Sequence, residues 1–334
     1  MSLTTHFLGL TLRSPVLVAS GPASHELSQI RLAEEHGAGG VVLKTAVGEK
    51  FAYMRTWPRP RYKLLDWDKQ IGGRSRQFSL YSYEQAYSGT LENYWTFIEA
   101  CKEQSSLAII GSIFADAAED WSRMAIRVEE CGADAIELDI SSPHRPGGLG
   151  FDTTFVAAIR AVVDAVRIPV LVKLAPGPDI VHQAAAAKEC GASALTLCNR
   201  LKGIDVDLEN QRPILHGSFA GVGGPWAKYY TMRYIAEVAR SVSISISGTG
   251  GIMTGEDAVK YALMGATTFQ ILSVIMINGW ESLSRVNAGI EEYLARQGNV
   301  TLDEIRGRAL ASITPPDEVV RWSGEPADGP RNRR

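Results

Sequence analysis

Two periodicities alternate along the chain. Segments with apolar residues three and four apart, the mark of a helix with one buried face, give way to short unbroken apolar runs rich in β-branched residues. Such runs suit strands buried on both faces. The junctions share one grammar. "EHGAGGVVL" (35–43), "ECGADAIEL" (130–138), "ECGASALTL" (189–197) and "LMGATTFQI" (263–271) each set Gly-Ala between the end of a helical pattern and the start of an apolar run. Glycine there suits a left-handed helix cap. Filled in, the pattern predicts strands near 16–20, 40–46, 107–114, 135–141, 169–176, 194–200, 243–249 and 268–275. The helices are predicted near 26–37, 90–104, 117–131, 153–167, 179–190, 225–241, 254–264 and 280–297.

Strict alternation means parallel strands joined by crossover helices. The fold class expected is α/β, and eight strand-then-helix units predict a closed (β/α)8 or TIM barrel. An open doubly wound sheet is the alternative, but no GxGxxG follows the first strand. "THFLGLTLRSP" (5–15) reads as a small N-terminal β-hairpin covering the barrel floor. A single barrel domain over 1–300 is expected, with 301–334 as a partly flexible C-terminal extension. Two connections are long, about 47–89 after strand 2 and 201–224 after strand 6. Long loops inside a compact domain are usually functional. Both follow strands, which puts them on the face where barrel enzymes keep their chemistry.

Composition narrows the class. Of 334 residues, 45% are apolar and 21% charged, ordinary soluble globular material, and the net charge of −3 implies no polyanion-binding surface. No nucleic-acid partner is therefore expected. No apolar run reaches the roughly 18 residues of a membrane span, and "MSLTTHFLGL" lacks the features of a signal peptide. A cytoplasmic protein with no membrane contact is expected. The cysteines at 101, 131, 190 and 198 match neither zinc nor iron–sulfur spacings. They are expected to be reduced and buried, with no metal site.

In a barrel the informative polar residues stand at the C-terminal ends of strands. Lys44 and Lys173 lie inside otherwise apolar runs, "VVLKTA" and "PVLVKLAP". A lysine so placed must find an anion or lose its charge. Two reaching one barrel face point to an anionic or electron-rich ligand. "GTGGIMTGEDA" (248–258) leaves backbone N–H groups open before a helix start, a phosphate cradle. "GVGGPWAK" (221–228) makes a second glycine turn, and Ser273 follows strand 8. Together they predict a phosphate-bearing ligand on one side of the barrel.

At these residues the chain resembles the dihydroorotate dehydrogenase superfamily, which includes the pyrimidine-reducing domain of dihydropyrimidine dehydrogenase. The similarity covers about residues 4 to 280. "LGLTLRSPVLVASGP", "LKTAVGEK" with "PRPRY", "ELDISSPH", "VLVKLAP", "GVGGPWAK" and "SGTGGIMTGEDAVKYALMGATTFQI" match in order and spacing, the last most specifically. The resemblance implies FMN as cofactor. It implies that Ala19, Ser20 and Gly21 line the flavin and that Lys44 and Thr45 contact it. It places Lys44 between flavin and substrate, and Lys173 beside the N1–C2=O edge, where a cation stabilises the reduced ring. Asn199 would bond ring or substrate, and Gly223, Gly224, Gly250, Gly251 and Ser273 would hold the phosphate. Asp139 and His144 would join Lys44 and Asn199 around the substrate. Ser142 stands at the position of the base that moves a proton next to a carbonyl, while hydride passes between the neighbouring carbon and flavin N5. His144 could tune it. A serine hydroxyl needs a water path or a polarising neighbour for that work. Family members are often homodimers or homotetramers, and a soluble electron acceptor or partner reductase is implied.

The chain departs from the family at three points. Asp139 and His144 occupy positions that are asparagine in the orotate enzymes, although His144 matches the dihydropyrimidine branch. An ionised carboxylate only accepts hydrogen bonds, and it repels a carboxylate substrate. The loop "GRSRQFSLYSYEQAYSG" (73–89) replaces the family's asparagine-bearing loop, and Tyr81, Tyr83 and Tyr87 are candidates to line a changed pocket or to pack the loop. A neutral dihydropyrimidine, enone or lactam-like substrate is thus expected ahead of dihydroorotate. Three readings stand: an FMN-dependent oxidoreductase of a CH–CH bond, with dihydroorotate dehydrogenase proper as its narrower form; a phosphate-binding barrel lyase or isomerase using Lys173 as a Schiff-base amine; and a non-catalytic barrel that binds flavin or a partner.

Overall fold

The computed structural model describes residues 3–55, 62–65, 70–71, 75–76, 78–83, 86–141, 153–216 and 218–314. Among these residues, eight parallel strands close a barrel: β1 (Val16–Val18), β2 (Gly40–Val42), β3 (Ala108–Phe114), β4 (Ala135–Leu138), β5 (Val170–Leu174), β6 (Ala194–Leu197), β7 (Ser245–Thr249) and β8 (Thr268–Ile271). Each pairs with the next, and β8 pairs with β1 through Phe269–Val16 and Ile271–Val18. The crossover helices are α1 (Leu27–Glu35), α2 (Leu91–Gln104), α3 (Ala118–Glu130), α4 (Thr153–Val163), α5 (Ile180–Glu189), α6 (Ala227–Ser241), α7 (Gly255–Leu263) and α8 (Glu281–Arg296). All eight predicted strands and helices are present, but β1, β2, β4, β5, β6 and β8 end two to four residues earlier than expected. β8 ends at Ile271, and a short helix, Ser273–Asn278, begins where a strand was expected.

The two-residue period of each strand sorts its side chains. Val170, Val172 and Leu174 of β5 pack outward in the cluster shared with the helices, as do Ile136 and Leu138 of β4 and Leu195 and Leu197 of β6. The alternate residues point inward and form layers. The lowest layer is apolar: Leu17, Val42, Ile110, Ala135, Leu171 and Ala194 pack with Phe7 and Leu12 of the hairpin. That hairpin pairs Thr5–Phe7 antiparallel to Leu10–Leu12, so it closes the floor as predicted. One step toward the C-terminal ends, the same inward positions are polar. Ser112 is paired with Glu137 in register, and Lys173 with Thr196.

The two long connections are not independent loops. Tyr62–Leu65, Ser79–Ser82, Ala220–Gly223 and Leu201–Gly203 form one antiparallel sheet across the C-terminal face. Residues from the connection after β2 thus pair with residues from the connection after β6. The segment after 300 begins with a helical turn, Leu302–Ile305, whose Leu302 and Ile305 are buried in the main core. The tail 315–334 lies outside the described residues. No described helix is long and apolar enough to cross a membrane.

Candidate active site

The C-terminal ends of the strands and the antiparallel sheet above them enclose a cleft of about 910 Å³, counted to its open mouth. Ala19, Ser20 and Gly21 after β1, Lys44 and Thr45 after β2, Asp139 after β4, Lys173 on β5 and Asn199 after β6 all line it. So do Gly223, Gly224, Gly250, Gly251 and Ser273. Every described residue expected at a site is therefore in one cleft. Ser142 and His144 lie outside the described residues.

The rim at β1 and β2 is stitched by hydroxyls. Ser20 Oγ accepts from Thr45 N at 3.1 Å, and Thr45 Oγ1 lies 2.9 Å from Ser112 Oγ. Tyr94, buried on α2, donates to the Ser112 carbonyl at 3.0 Å and accepts from Ser112 N at 2.9 Å. Asn199 Nδ2 donates to Asp139 Oδ1 at 3.0 Å and to the Ser141 carbonyl at 3.2 Å. Ser141 Oγ donates to the Lys173 carbonyl at 2.8 Å, so this hydroxyl fastens the end of β4 to β5.

Burial pushes the Asp139 carboxyl above the usual aspartate range, and the Glu137 charge adds to it; Lys173, Lys44 and Arg200 oppose it without cancelling it. A protonated carboxyl can donate as well as accept, as an asparagine amide does.

Lys173 behaves oppositely. Burial favours its neutral form, but Glu137 and Asp139 outweigh burial and hold its pKa above the usual lysine value. Glu137 is fully buried, with its Oε1 3.4 Å from Lys173 Nζ. An amine kept protonated is not a nucleophile. The Schiff-base reading of Lys173 is thereby disfavoured on chemical grounds.

The glycine end of the cleft is a cradle that a side chain would fill. Gly251 has φ +73°, and a Cβ there would lie 2.6 Å from Lys228 N and 2.9 Å from Gly224 O. A Cβ on Gly224 would meet the Phe78 carbonyl at 2.2 Å. Lys228 Nζ holds Asp257 Oδ1 at 2.7 Å, tying the two glycine loops together. The N-terminus of α7 is closed by its own capping box, Thr254 with Asp257. At 224 and 251 glycine therefore lets backbone segments pack closely along this side of the cleft. With Lys44 and Lys173 at the other end, the donor set fits a planar, electron-rich cofactor carrying a phosphate tail.

Two cleft residues escaped sequence reasoning. Arg200 donates to Ser82 Oγ on the cap sheet and lies against Gly221, where a Cβ would sit 2.5 Å from its Cζ. Leu80 is the cap side chain that faces the cleft. The tyrosines do not line it. Tyr81 is buried with Leu215 and Ala220 on the face of the cap turned from the cleft, Tyr83 packs on that cluster, and Tyr87 stacks on Phe97 with centroids 5.8 Å apart. Strand alternation explains it, because Leu80 and Ser82 share one face and Tyr81 takes the other.

Fold and cleft define a parallel barrel with a polar cleft at the C-terminal ends of its strands. The profile of the family described as dihydroorotate dehydrogenase matches residues 2–294. The chain is 32% identical over 314 residues to "Dihydroorotate dehydrogenase B (NAD(+)), catalytic subunit" of Thermococcus kodakarensis, covering 92% of this chain and 98% of the relative. It is 32% identical over 320 residues to the protein of the same name from Methanothermobacter thermautotrophicus, with 92% and 98% covered. The Geobacter sulfurreducens protein of that name is 33% identical over 316 residues, with 91% and 97% covered. The chain belongs to the dihydroorotate dehydrogenase family and is an oxidoreductase of that flavin-dependent class.

Proposed function

We propose that this protein is an FMN-dependent oxidoreductase of a CH–CH bond, or the corresponding C=C bond, next to a carbonyl in a cyclic amide or enone. The observation that carries the reading is the single cleft joining two strand-end lysines to the glycine cradle. Bound FMN supplies hydride exchange with the substrate carbon. Gly223, Gly224, Gly250, Gly251 and Ser273 hold the phosphate, and Ala19, Ser20, Gly21 and Thr45 line the ring. Lys173 holds a positive charge at the edge of the ring, and Lys44 stands between ring and substrate. Asn199 and Asp139 orient the substrate's amide groups. Ser142 is the proton carrier next to the carbonyl, and His144 belongs to the substrate-binding set and tunes it.

The neutral substrate is a dihydropyrimidine or a related lactam. Dihydroorotate is a second reading, favoured by Arg200, a third cation in the cleft, and by the names of the relatives. Their designation as catalytic subunits working with NAD(+) supports a separate partner that passes electrons to a soluble acceptor. The purified protein is expected to be yellow and bleached by dithionite. An anaerobic screen of dihydropyrimidines, dihydroorotate and enones, read as flavin reduction or reoxidation, identifies the substrate class. A colourless protein that FMN does not reconstitute would contradict the reading. Ser142→Ala should slow the substrate-driven step about 10²–10⁴-fold, the usual contribution of a general acid–base group, with FMN retained; unchanged single-turnover rates would remove Ser142 from that role.

A further inference from the structure

The carboxylate of Glu137 has no exposure to solvent, yet it sits in the interior of the barrel. Its Oε2 accepts from Thr196 Oγ1 at 2.7 Å and from Gln270 Nε2 at 3.0 Å. Gln270 Nε2 also donates to Thr196 Oγ1 at 3.1 Å, so three side chains from β4, β6 and β8 lock one another. Its Oε1 has no hydrogen-bond partner, and the nearest cation is Lys173 Nζ at 3.4 Å. Lys173 in turn lines the cleft. The ammonium therefore has a fixed carboxylate behind it and the cleft in front.

A buried carboxylate is costly unless paired, and neutral hydrogen bonds alone do not offset its desolvation. A buried lysine beside no anion loses its proton. Each member of this pair makes the other tolerable. We infer that Glu137 is a positioning residue, anchored by Thr196 and Gln270, that keeps Lys173 charged and aimed into the cleft, and so sets how strongly the site favours a reduced, electron-rich ring. The inference rests on the flavin reading of the cleft for its redox consequence, but the pairing itself can be tested without the flavin. The charged groups facing Lys173 are Glu137 and Asp139 from β4 and Arg200 after β6.

The sign follows from the pairing. Removing the Glu137 charge takes away the largest influence that favours ammonium, so Lys173 releases its proton at lower pH than in wild type. While Lys173 is still charged, in the acid range, the potential of bound flavin in Glu137→Gln should equal or exceed that of wild type. As Lys173 discharges with rising pH, the potential should drop below it. Glu137→Asp, which keeps the charge on a shorter stem, should recover part of the wild-type profile, and Thr196→Val should shift it in the same direction as Glu137→Gln but less.

Two measurements test this on the purified flavin-loaded protein. The first is the midpoint potential against pH for wild type, Glu137→Gln, Glu137→Asp and Thr196→Val. The second is a thermal-melting cycle of Lys173→Met, Glu137→Gln and the double variant. Lys173→Met alone, which strands the carboxylate, should melt lower than the double variant. A Glu137→Gln potential profile parallel to wild type, or additive melting shifts, would overturn the inference. If Glu137→Gln does not fold, Thr196→Val and the Lys173→Met comparison with the double variant carry the decision. Protein that binds no flavin but shows the non-additive melting would contradict the cofactor reading while upholding the pair.

Discussion

The barrel interior has two layers that follow the same strands and obey opposite rules. At the floor, Leu17, Val42, Ile110, Ala135, Leu171 and Ala194 meet the hairpin's Phe7 and Leu12 with no charged group among them. Two residues further along β4 and β5 the same face carries Glu137 and Lys173, and β3 and β6 add Ser112 and Thr196. The floor is stable because apolar area leaves water, about 1.5–3 kcal/mol for each fully buried aliphatic side chain. The upper layer is tolerated only because its polar groups satisfy one another. A protein gains little stability from a buried ion pair, so its place beneath the cleft argues for chemistry rather than for folding.

Moving a charge between layers should break that contrast most sharply. Leu171→Glu puts a second carboxylate on the inner face of the barrel, in register with Glu137 on the neighbouring strand. It should cost about 3–5 kcal/mol, the penalty of an uncompensated buried charge, or abolish soluble folded protein; urea unfolding measures it. Ile110→Ala tests the floor by volume alone and should cost about 2–5 kcal/mol, with flavin content per folded chain unchanged. A loss of flavin matching the loss of stability would show that the layers are not separable.

Asp139→Asn sharpens the comparison at the boundary between the polar layer and the cleft. Because burial raises the native Asp139 pKa, the native state binds more protons than the unfolded chain between the ordinary aspartate value and the raised one. Stability of wild type should therefore fall, relative to Asp139→Asn, as pH rises through that window. A flat difference between the two melting curves against pH would contradict it. The smallest effect expected is at Leu80→Ala. It removes a side chain that roofs the cleft and should weaken substrate or flavin affinity while barely moving the melting temperature, read by flavin fluorescence titration.

Much of this was legible in the sequence, and what was missed has physical causes. The eight units were readable because Gly-Ala junctions punctuate a strictly alternating pattern, and local periodicity suffices for that. Lys44 and Lys173 stood out as charges inside apolar runs. Glu137 was half visible: in "AIELD" a period of two puts Ala135, Glu137 and Asp139 on one face, but its partners Lys173 and Thr196 stand on other strands and are set beside it only by folding. Arg200, in "TLCNR", was hidden because its role depends on Ser82 and Gly221, residues set beside it only by folding. The cap sheet was hidden for the same reason. Tyr81 pairs with Val222, and no local pattern records a partner so distant in sequence.

FMN, on the reading proposed above, sits on the polar face of the barrel and not at its floor. Titration of flavin-stripped protein with FMN, followed by quenching of flavin fluorescence, tests this most directly in wild type and Gly223→Val. Gly223 lines the cleft, and beyond its chain neighbours a Cβ there would meet only the Arg200 side chain, at an ordinary 3.7 Å. Expected are one FMN per chain for wild type and binding weakened by at least about tenfold in the variant, a loss near 1.4 kcal/mol, with the fold intact. No binding by wild type, or equal affinity in the two proteins, would contradict it.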